Sequence, residues 1–463
     1  MRPYKTLKVK PESRRKGMSN KLMKYWIEAQ DVHKTIGKYM LADGFDMVFD
    51  LRKSHDIYCH DARTGREYLD MFSFFASSPV GFNHPKLTSP EMIKFLGEVA
   101  VNNITNSDLY SCEMASFVET FFQLAVPKGF KHAFFVAGGA LGIENALKAS
   151  FDWKVRQNFH KGYRREVGHR VISFEHAFHG RTGYTMTLTR TDPVKYQYYP
   201  MFDWPKCISP ALEFPLNAKN LEGVQKREQL ALNQVKRAFH DYPDDIAAII
   251  IEPIQAEGGD RHFRGEFLKA LKEIADNENA MLIFDCVQTG MGLTGRMWAF
   301  EHFDVQPDMF CIGKKSQVCG FVANDKIESV EDNVFHVSSR LNSTWGGNVI
   351  DMVRVAKYLE IMHEERLVEN AAKVGQMLLK ELETFQAEYP KMILSTRGRG
   401  LMCAFDLPTP ELRNKFRSRL YDNGLAILGC GEKTIRFRPP LTMKEEHVKM
   451  TMEIMKKTGK EMF

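Results

Sequence analysis

The chain has 463 residues, of which 44% are hydrophobic and 26% are charged, and this composition is typical of globular proteins and excludes a disordered or fibrous chain. The net charge is only +6, and basic and acidic residues are mixed along the chain, so we expect no nucleic-acid partner. Because no run of about 18 apolar residues is present, we also expect no membrane span. At this length we predict one large and one smaller domain.

The amino-terminal segment is predicted to form an arm or a small subdomain. Its most basic part, Lys8 to Lys16, is interpreted as a solvated tail, with a targeting segment as the alternative. Helical spacing follows around Met18 to Ala42. The stretch from Tyr58 to Asp70 is predicted to be a hairpin that turns at Thr64-Gly65.

The eight cysteines form no close pair and no ligand cluster with histidine. This spacing argues against a disulfide framework and against a metal site. We therefore interpret the cysteines as free buried thiols in a reducing, cytoplasmic compartment, with Cys286 considered separately below.

Short apolar runs alternate with longer amphipathic segments through the middle of the chain, which predicts an α/β fold with a mostly parallel sheet and crossover helices. The predicted strands are HAFFVA before Gly138, RVISF ending at Phe174, IAAIIIEP ending at Pro253, MLIFD ending at Asp285, and DMFCIG ending at Gly313. Helical segments such as Leu221 to Phe239 and Phe267 to Ala275 separate several of them.

After about Gly347 the pattern changes to long helices, followed by strands near Leu401 to Phe405 and Thr434 to Arg438 and a last helix after Lys444. This change predicts a separate α+β domain. We expect an arm and part of the small domain over residues 1–85, a large domain over 86–347, and the rest of the small domain over 348–463.

Ligand sites of parallel sheets lie at the carboxyl ends of the strands, where loops and helix amino termini converge. The predicted strand ends therefore define the candidate site before any other consideration. Its segments are Gly138 to Ala140, His176 to Arg181, Glu252 to Glu257, Asp285 to Gln288, and Lys314.

Three of these segments favour one cofactor, pyridoxal phosphate. Gly139 and Ala140 open a helix whose free N–H groups would bind phosphate, although such turns also serve packing. Asp285 closes an apolar strand and needs a partner, such as a protonated pyridine nitrogen, unless it is a helix cap or lies in a surface turn. Lys314 would form a Schiff base with an aldehyde and move protons between carbons, with Lys315 as the rival.

Aromatic and basic residues complete the predicted site. Phe178 would lie over the cofactor ring or in the core, with His179 beside the ring. Arg181 would bind a substrate carboxylate in bidentate fashion. We expect Arg436 and Arg438 to face opposite sides of a short strand, so that only one of them points into the site.

These residues resemble the class III aminotransferases, and the resemblance runs from about Val32 to the carboxyl terminus. The most specific segments include FFVAGGALGIENALKASFDWK, AFHGRTGYT, EPIQAEGGDRHFR, GKKSQVCG and RLNSTWGGN. Within this class the sequence looks most like the lysine 6-transaminases, and next like the 4-aminobutyrate enzymes. The resemblance implies the fold type I of pyridoxal-phosphate transferases, with a large and a small domain.

The implied reaction moves the ε-amino group of L-lysine to 2-oxoglutarate, giving 2-aminoadipate 6-semialdehyde and L-glutamate through the pyridoxamine form of the cofactor. Gly139 and Ala140 would bind the phosphate, Val287 and Gln288 would lie at the ring, and Lys314 would transfer the proton in each half-reaction. Thr344 would reach the phosphate of the partner subunit, which implies a homodimer.

The resemblance also implies the substrate contacts. Arg181 would hold the α-carboxylate shared by lysine, glutamate and 2-oxoglutarate, and Gln288 and Asn342 would contribute to the same site. Arg436 would bind the distal carboxylate of 2-oxoglutarate. Glu257 would pair with Arg436 when lysine is bound, so that the pocket accepts both substrates.

Two positions depart from the family pattern, because Cys286 and Ala137 stand where glutamate is frequent. If the strand alternates, Cys286 points away from the side of Asp285. Another ω-amino donor, such as 4-aminobutyrate or ornithine, stays an alternative, as does a non-catalytic regulatory protein that binds the cofactor. A nucleotide-binding dehydrogenase is disfavoured, because no G-x-G-x-x-G follows the first strand.

Overall fold

The computed structural model describes residues 22–463. The basic run Lys8 to Lys16 and the first part of the predicted helical stretch lie outside the described residues. In chain order the strands are β1 (Tyr58–His60), β2 (Glu67–Asp70), β3 (Phe130–Val136), β4 (Arg170–Phe174), β5 (Lys206–Cys207), β6 (Ile246–Ile251), β7 (Ile254–Gln255), β8 (Arg261–His262), β9 (Met281–Asp285), β10 (Met309–Ile312), β11 (Cys319–Asn324), β12 (Leu394–Arg399), β13 (Met402–Asp406), β14 (Leu425–Ala426), β15 (Leu428–Cys430) and β16 (Thr434–Phe437).

The helices alternate with these strands through the middle of the chain and dominate the carboxyl-terminal part. Their bounds are Val32–Ile36, Ser73–Ala76, Pro90–Ala100, Cys112–Leu124, Gly139–His160, Gly183–Leu188, Ala218–Asp241, Gly265–Asn277, Val349–Glu364, Leu367–Glu388, Pro410–Asp422 and Glu445–Met462. Within residues 22–463, no helix is both long enough and apolar enough to cross a membrane.

The central sheet has the strand order β3-β11-β10-β9-β6-β4-β5. The strands β10, β9, β6, β4 and β5 run parallel to one another, whereas β11 is antiparallel to both β10 and β3. The five strands predicted from apolar runs are all present, as β3, β4, β6, β9 and β10. The α/β fold is therefore confirmed, and the apolar runs did not indicate the two other strands of this sheet, the antiparallel β11 and the short β5.

The core lies on both faces of this sheet. Strand β6, IAAIII, is buried at every position, as expected for a parallel strand covered on both sides. Its Ile249 and Ile251 pack into one apolar cluster with Leu271 of the helix Gly265–Asn277. Its Ile250 packs into a second cluster with Leu147 of the helix Gly139–His160. The sheet edge that carries the candidate site is thus held between two packed layers.

A three-stranded sheet, β1-β2-β14, joins strands from the amino-terminal and carboxyl-terminal parts of the chain. The predicted hairpin is present, since β1 pairs antiparallel with β2, and β14 near the carboxyl terminus pairs parallel with β2. A four-stranded sheet, β12-β13-β16-β15, carries the last strands. The hairpin therefore belongs structurally with the carboxyl-terminal region.

The helix predicted around Met18 to Ala42 is wrong in extent. Its described part contains only the short turns Ala29–Asp31 and Val32–Ile36. The apolar residues that suggested a longer helix, including Tyr25 and Leu41, are exposed and have no apolar surface to pack against in the described chain. A short helix without tertiary packing is marginal, so helical spacing alone does not produce one.

Candidate active site

A cavity of about 290 Å³ lies where the loops after β4, β6, β9 and β10 meet the start of the helix Gly139–His160. It contains most of the residues predicted for the site. The lining residues are Gly139, Ala140, Ile143, Phe178, His179, Gly180, Arg181, Glu252, Glu257, Asp285, Val287, Gln288 and Lys314. Segments up to 175 residues apart in sequence therefore converge on one cavity, as the strand-end argument predicted.

The helix Gly139–His160 begins directly after β3, at a tight turn. Gly138 has φ 113°, a left-handed conformation that favours glycine. At Gly139 a side chain would bring Cβ within 3.2 Å of Val287 Cγ1. Gly138 and Gly139 therefore leave the backbone without side chains where the first N–H groups of the long helix border the cavity. This arrangement fits a phosphate group.

Asp285 ends β9 with its carboxylate held on both oxygens. Its Oδ2 lies 2.8 Å from Nδ1 of His179, and its Oδ1 accepts the backbone N–H of Val287 at 3.0 Å. The side chain is buried, which removes the interpretation of a surface turn. A fixed buried carboxylate in a cavity fits a cationic ring nitrogen, because an unpaired charge would be costly there.

Lys314 follows β10 and reaches the same cavity. Its φ of 53° is left-handed, and no residue from 22 to 463 forms a hydrogen bond or ion pair with its amine. Burial lowers the pKa of this amine, Arg436 acts in the same direction, and Asp285 opposes them. A lowered pKa favours the neutral amine, which is the form that adds to an aldehyde.

Lys315 points away from the cavity. Its Nζ donates to the backbone oxygen of Ala76 at 3.1 Å, and the residue is only 2% exposed. It packs near Asp70, whose carboxylate accepts the backbone N–H groups of Phe72 and Ser73 at 2.8 Å. Of the two adjacent lysines, only Lys314 lines the cavity.

Replacing Asp70 by asparagine is expected to remove a pH dependence from the free energy of unfolding. Burial raises the pKa of the Asp70 carboxyl to about 7, whereas the unfolded value is about 3.9. Between these two pKa values the folded state keeps a proton that the unfolded state has lost. The contribution of Asp70 to the free energy of unfolding is therefore complete below about pH 4 and is lost as the pH rises through the folded pKa. The loss amounts to at most roughly 4 kcal/mol. Urea unfolding from pH 4 to 8 measures it; parallel profiles for the variant and the natural protein would contradict the expectation.

Glu257 links the cavity to two cations. Its Oε2 lies 2.8 Å from Nη1 of Arg436, and its Oε1 lies 2.9 Å from Nζ of Lys195. Burial by itself raises the pKa of Glu257, but Arg436 and Lys195 outweigh it and hold the pKa below the ordinary value. Arg436 is 2% exposed and lies behind Glu257 and Gln288 rather than on the cavity wall. Glu257 therefore covers Arg436.

The expectation that Arg436 and Arg438 face opposite sides is wrong. Residues two apart in a strand share a face, and both guanidinium groups donate to Oε1 of Gln288, at 3.3 and 3.1 Å. Arg438 then turns to Asp260, to which it donates twice. The two arginines therefore differ in their carboxylate partners, which are Asp260 for Arg438 and Glu257 for Arg436.

Glu252 also lines the cavity, although no role was assigned to it within the segment Glu252 to Glu257. Its Oε1 accepts the backbone N–H of Phe178 at 2.9 Å, and its Oε2 accepts that of Ala256 at 3.0 Å. Burial raises the pKa of its carboxyl well above the ordinary value, and Asp285 adds to the effect. Like Asp285, it closes an apolar strand, so the same sequence signal was available.

The remaining predicted residues lie at the rim or outside the cavity. Arg181 lines the mouth and is exposed. Asn342 and Thr344 are exposed and do not line the cavity of their own chain. Their segment is tied to the chain by the backbone N–H of Asn106, which donates to the oxygen of Trp345 at 3.3 Å.

The cysteines are free, and seven of them are buried, but the expected burial is wrong for Cys112. Cys112 begins the helix Cys112–Leu124 and is exposed there. Cys286 is 1% exposed and packs in the apolar cluster with Met291 and Trp298, so it points away from the cavity as expected. Ala137 is exposed.

The sequence matches the family model for class III aminotransferases over residues 40–458. The chain belongs to this family. It is 47% identical to the L-lysine-epsilon aminotransferase of Mycobacterium tuberculosis over 90% of this chain and 92% of that one. The corresponding enzyme of Amycolatopsis lactamdurans is 44% identical over 92% of this chain and 95% of its own.

A solved structure gives the same picture. The lysine aminotransferase from Mycobacterium tuberculosis, in the internal aldimine form, superposes with a TM-score of 0.92 and 45% identity, covering 94% of this chain and 100% of that chain. The fold type I of pyridoxal-phosphate transferases is thereby confirmed for this chain. The cofactor of the family is pyridoxal phosphate, and the bare helix start, the buried Asp285 and the amine of Lys314 fit its phosphate, ring nitrogen and aldehyde.

Proposed function

We propose that this chain transfers the ε-amino group of L-lysine to 2-oxoglutarate, giving 2-aminoadipate 6-semialdehyde and L-glutamate. The observation that carries the proposal is the Glu257–Arg436 pair, in which a cavity carboxylate covers a buried arginine at 2.8 Å. The names of the relatives supply the amino donor. Lys314 and Asp285 would serve any amino donor, whereas a carboxylate that covers Arg436 is useful only when the two substrates differ in charge.

Pyridoxal phosphate supplies an aldehyde and an electron-accepting ring when it is bound. The N–H groups of Gly139 and Ala140 would bind its phosphate, and Asp285, which His179 contacts at 2.8 Å, would keep the ring nitrogen charged. Phe178, Val287 and Gln288 line the cavity, and they would surround the ring and exclude water from it. The amine of Lys314 would hold the aldehyde group of the cofactor and would serve as the acid and base for proton transfer.

The two substrates differ in charge. Lysine brings one carboxylate to the cavity, whereas glutamate and 2-oxoglutarate bring two. Arg181 at the mouth binds one carboxylate of each of these substrates, by the paired geometry that guanidinium groups favour. Arg436 binds the second carboxylate of the dicarboxylates, and Glu257 neutralises it when lysine is bound. One cavity thus serves both half-reactions.

The assembly we propose is a homodimer with a shared active site. Thr344 and Asn342 are exposed and lie off the cavity of their own chain, so they are free to reach the phosphate and the substrate of the partner subunit.

We further propose a cytoplasmic enzyme with an arm and part of the small domain over residues 1–85, a large domain over 86–347 and the rest of the small domain over 348–463.

The experiment that tests the function is a panel of amino donors with 2-oxoglutarate as acceptor. L-Lysine is expected to give the highest kcat/KM and a product that cyclises to a piperideine. For 4-aminobutyrate and ornithine we expect a lower kcat/KM. Preference for one of those two donors would replace lysine as the substrate. Absence of turnover with every donor, together with cofactor absorbance, would identify a non-catalytic protein that binds the cofactor.

Glu257→Ala is expected to harm the lysine half-reaction much more than the glutamate half-reaction. The variant leaves Arg436 uncovered beside a substrate that lacks the second carboxylate, and a lost charged contact of this kind corresponds to about 10- to 100-fold in rate. The glutamate half-reaction, which needs Arg436 uncovered, should fall by less than about threefold. Single-turnover spectra with each amino donor measure both rates.

A matched control is Glu213→Ala, because Glu213 forms a half-exposed ion pair with Arg227 away from this cavity. This variant should leave both half-reactions unchanged. Equal losses of the two half-reactions in Glu257→Ala would remove the proposal that Glu257 selects between the substrates.

A further inference from the structure

Each oxygen of the Glu257 carboxylate contacts a cation. Arg436 is the proposed binding group for a substrate carboxylate, whereas no substrate contact is proposed for Lys195. Arg436 binds Oε2 and Lys195 binds Oε1, at 2.8 and 2.9 Å. The arginine side chain is 3% exposed, whereas those of Glu257 and Lys195 are 25% and 23% exposed. Glu257 therefore bridges a buried cation and a partly solvated one.

We propose that Lys195 is a positioning residue that keeps Glu257 charged and bound when a dicarboxylate displaces it from Arg436, and this inference rests on the proposed function. A carboxylate that leaves its only partner in a partly buried site becomes an unpaired charge, which is unfavourable. With Lys195 on the other oxygen, release from Arg436 breaks one contact and preserves the second. Lys195 thus lowers the cost of uncovering Arg436.

Contacts that do not involve Glu257 hold Lys195 in place. Lys195 is the last residue of the short turn Pro193–Lys195, and its Nζ also donates to Oγ1 of Thr191 at 3.3 Å. The same Nζ lies 5.4 Å from the ring centroid of Phe178, on the wall of the cavity, which is a cation–π distance. Because these contacts persist when Glu257 moves, the ammonium group stays available as its anchor.

The two cations come from different parts of the fold, so Glu257 can change partners without a large backbone movement. Arg436 lies on β16 of the four-stranded sheet, whereas Lys195 lies in the connection between the helix Gly183–Leu188 and β5 of the central sheet. Glu257 stands between them, in the loop that follows β7. In this proposal a rotation of its side chain toward Lys195 frees Nη1 of Arg436 from Glu257, while the contact of Arg436 with Gln288 remains.

The test is the binding of glutarate, a dicarboxylate that carries no reacting group, to the holoenzyme by calorimetry. Lys195→Met retains the stem of the side chain but removes the ammonium group, and it is expected to weaken glutarate binding by about 3- to 10-fold, the range for a partly exposed ion pair. Lys195→Arg restores the charge and should bind glutarate within about twofold of the natural protein. Unchanged binding in Lys195→Met would overturn the proposal.

A double-mutant comparison separates the anchor from direct binding of the ligand. In a Glu257→Ala background there is no carboxylate to re-anchor, so Lys195→Met should no longer affect glutarate binding. The same weakening in that background would overturn the proposal, because it would mean that Lys195 attracts the dicarboxylate itself. Lys226→Met, which removes a lysine from an exposed helix pair with Glu222, should bind glutarate as the natural protein does.

Steady-state kinetics gives a second readout that a purely structural role would not produce. Lys195→Met is expected to raise the KM for 2-oxoglutarate by about the same 3- to 10-fold with kcat nearly unchanged, and to leave the KM for lysine within about twofold. Equal losses with both substrates and a lower Tm would show a general packing defect and overturn the proposal. Glutarate binding does not involve the amino donor, so failure of the lysine assignment and failure of the anchor are distinguishable.

Discussion

Lys314→Ala is expected to lose at least about 10³-fold in turnover, because the variant has no amine to bind the aldehyde or to transfer the proton. It should also lose the near-visible absorbance of the covalently bound cofactor. The fold should survive, since the amine has no hydrogen bond or ion pair with residues 22–463. The φ of 53° at this position is no worse for alanine than for lysine.

The measurement combines absorbance spectra, thermal unfolding and single-turnover kinetics on the purified variant. In the natural protein, borohydride reduction followed by peptide mapping identifies the lysine that carries the cofactor, and this result does not depend on the folding of any variant. Reduced cofactor on Lys315, or full activity in Lys314→Ala, would overturn the assignment. The cavity geometry predicts the label on Lys314.

Asp285→Asn is expected to reduce turnover by about 10²- to 10³-fold while the cofactor stays bound, the loss typical of removing one fixed electrostatic group. The substitution preserves the size of the side chain and an oxygen for the N–H of Val287. It removes the negative charge that would keep the ring nitrogen protonated, and it deprives His179 of its anionic partner at 2.8 Å. Spectra should still show cofactor on Lys314, and both half-reactions should slow alike.

Glu252→Gln is the matched control, because Glu252 is the other buried carboxyl group of this cavity. Burial raises its pKa well above the ordinary value, which favours the neutral form, so glutamine, which is neutral and of the same size, is a close replacement. We expect a loss of less than about tenfold, caused by the weaker hold on the backbone N–H groups of Phe178 and Ala256. A loss as large as that of Asp285→Asn would show that the charge of Asp285 is not the decisive property.

Several features of this site were predictable from local sequence. Gly139, Asp285 and Lys314 each follow an apolar run, and the carboxyl ends of parallel strands share one edge of a sheet. The direction of Cys286 also followed from strand alternation. By contrast, the spacing of apolar residues overestimated the helix near Met18 to Ala42, because that spacing does not show whether a partner surface exists.

The choice between adjacent or similar residues required tertiary structure. Lys315 is excluded from the cavity by its bond to the oxygen of Ala76, 239 positions away in sequence. Arg438 is neutralised by Asp260, whereas Arg436 is covered by Glu257, although both arginines contact Gln288. Nothing in the sequence next to these residues shows which partner each one meets.

The class of fold, the cofactor and the strand ends proposed to hold it could therefore be predicted from sequence, because apolar periodicity and strand-end chemistry are local properties. Three features became visible only in the packed chain: Lys314 is the lysine that faces the cavity, Glu257 covers Arg436, and Lys195 shares the carboxylate of Glu257. Those outcomes depend on distances between side chains from separate elements, and such distances are set only when the two sheets and their connecting loops pack together.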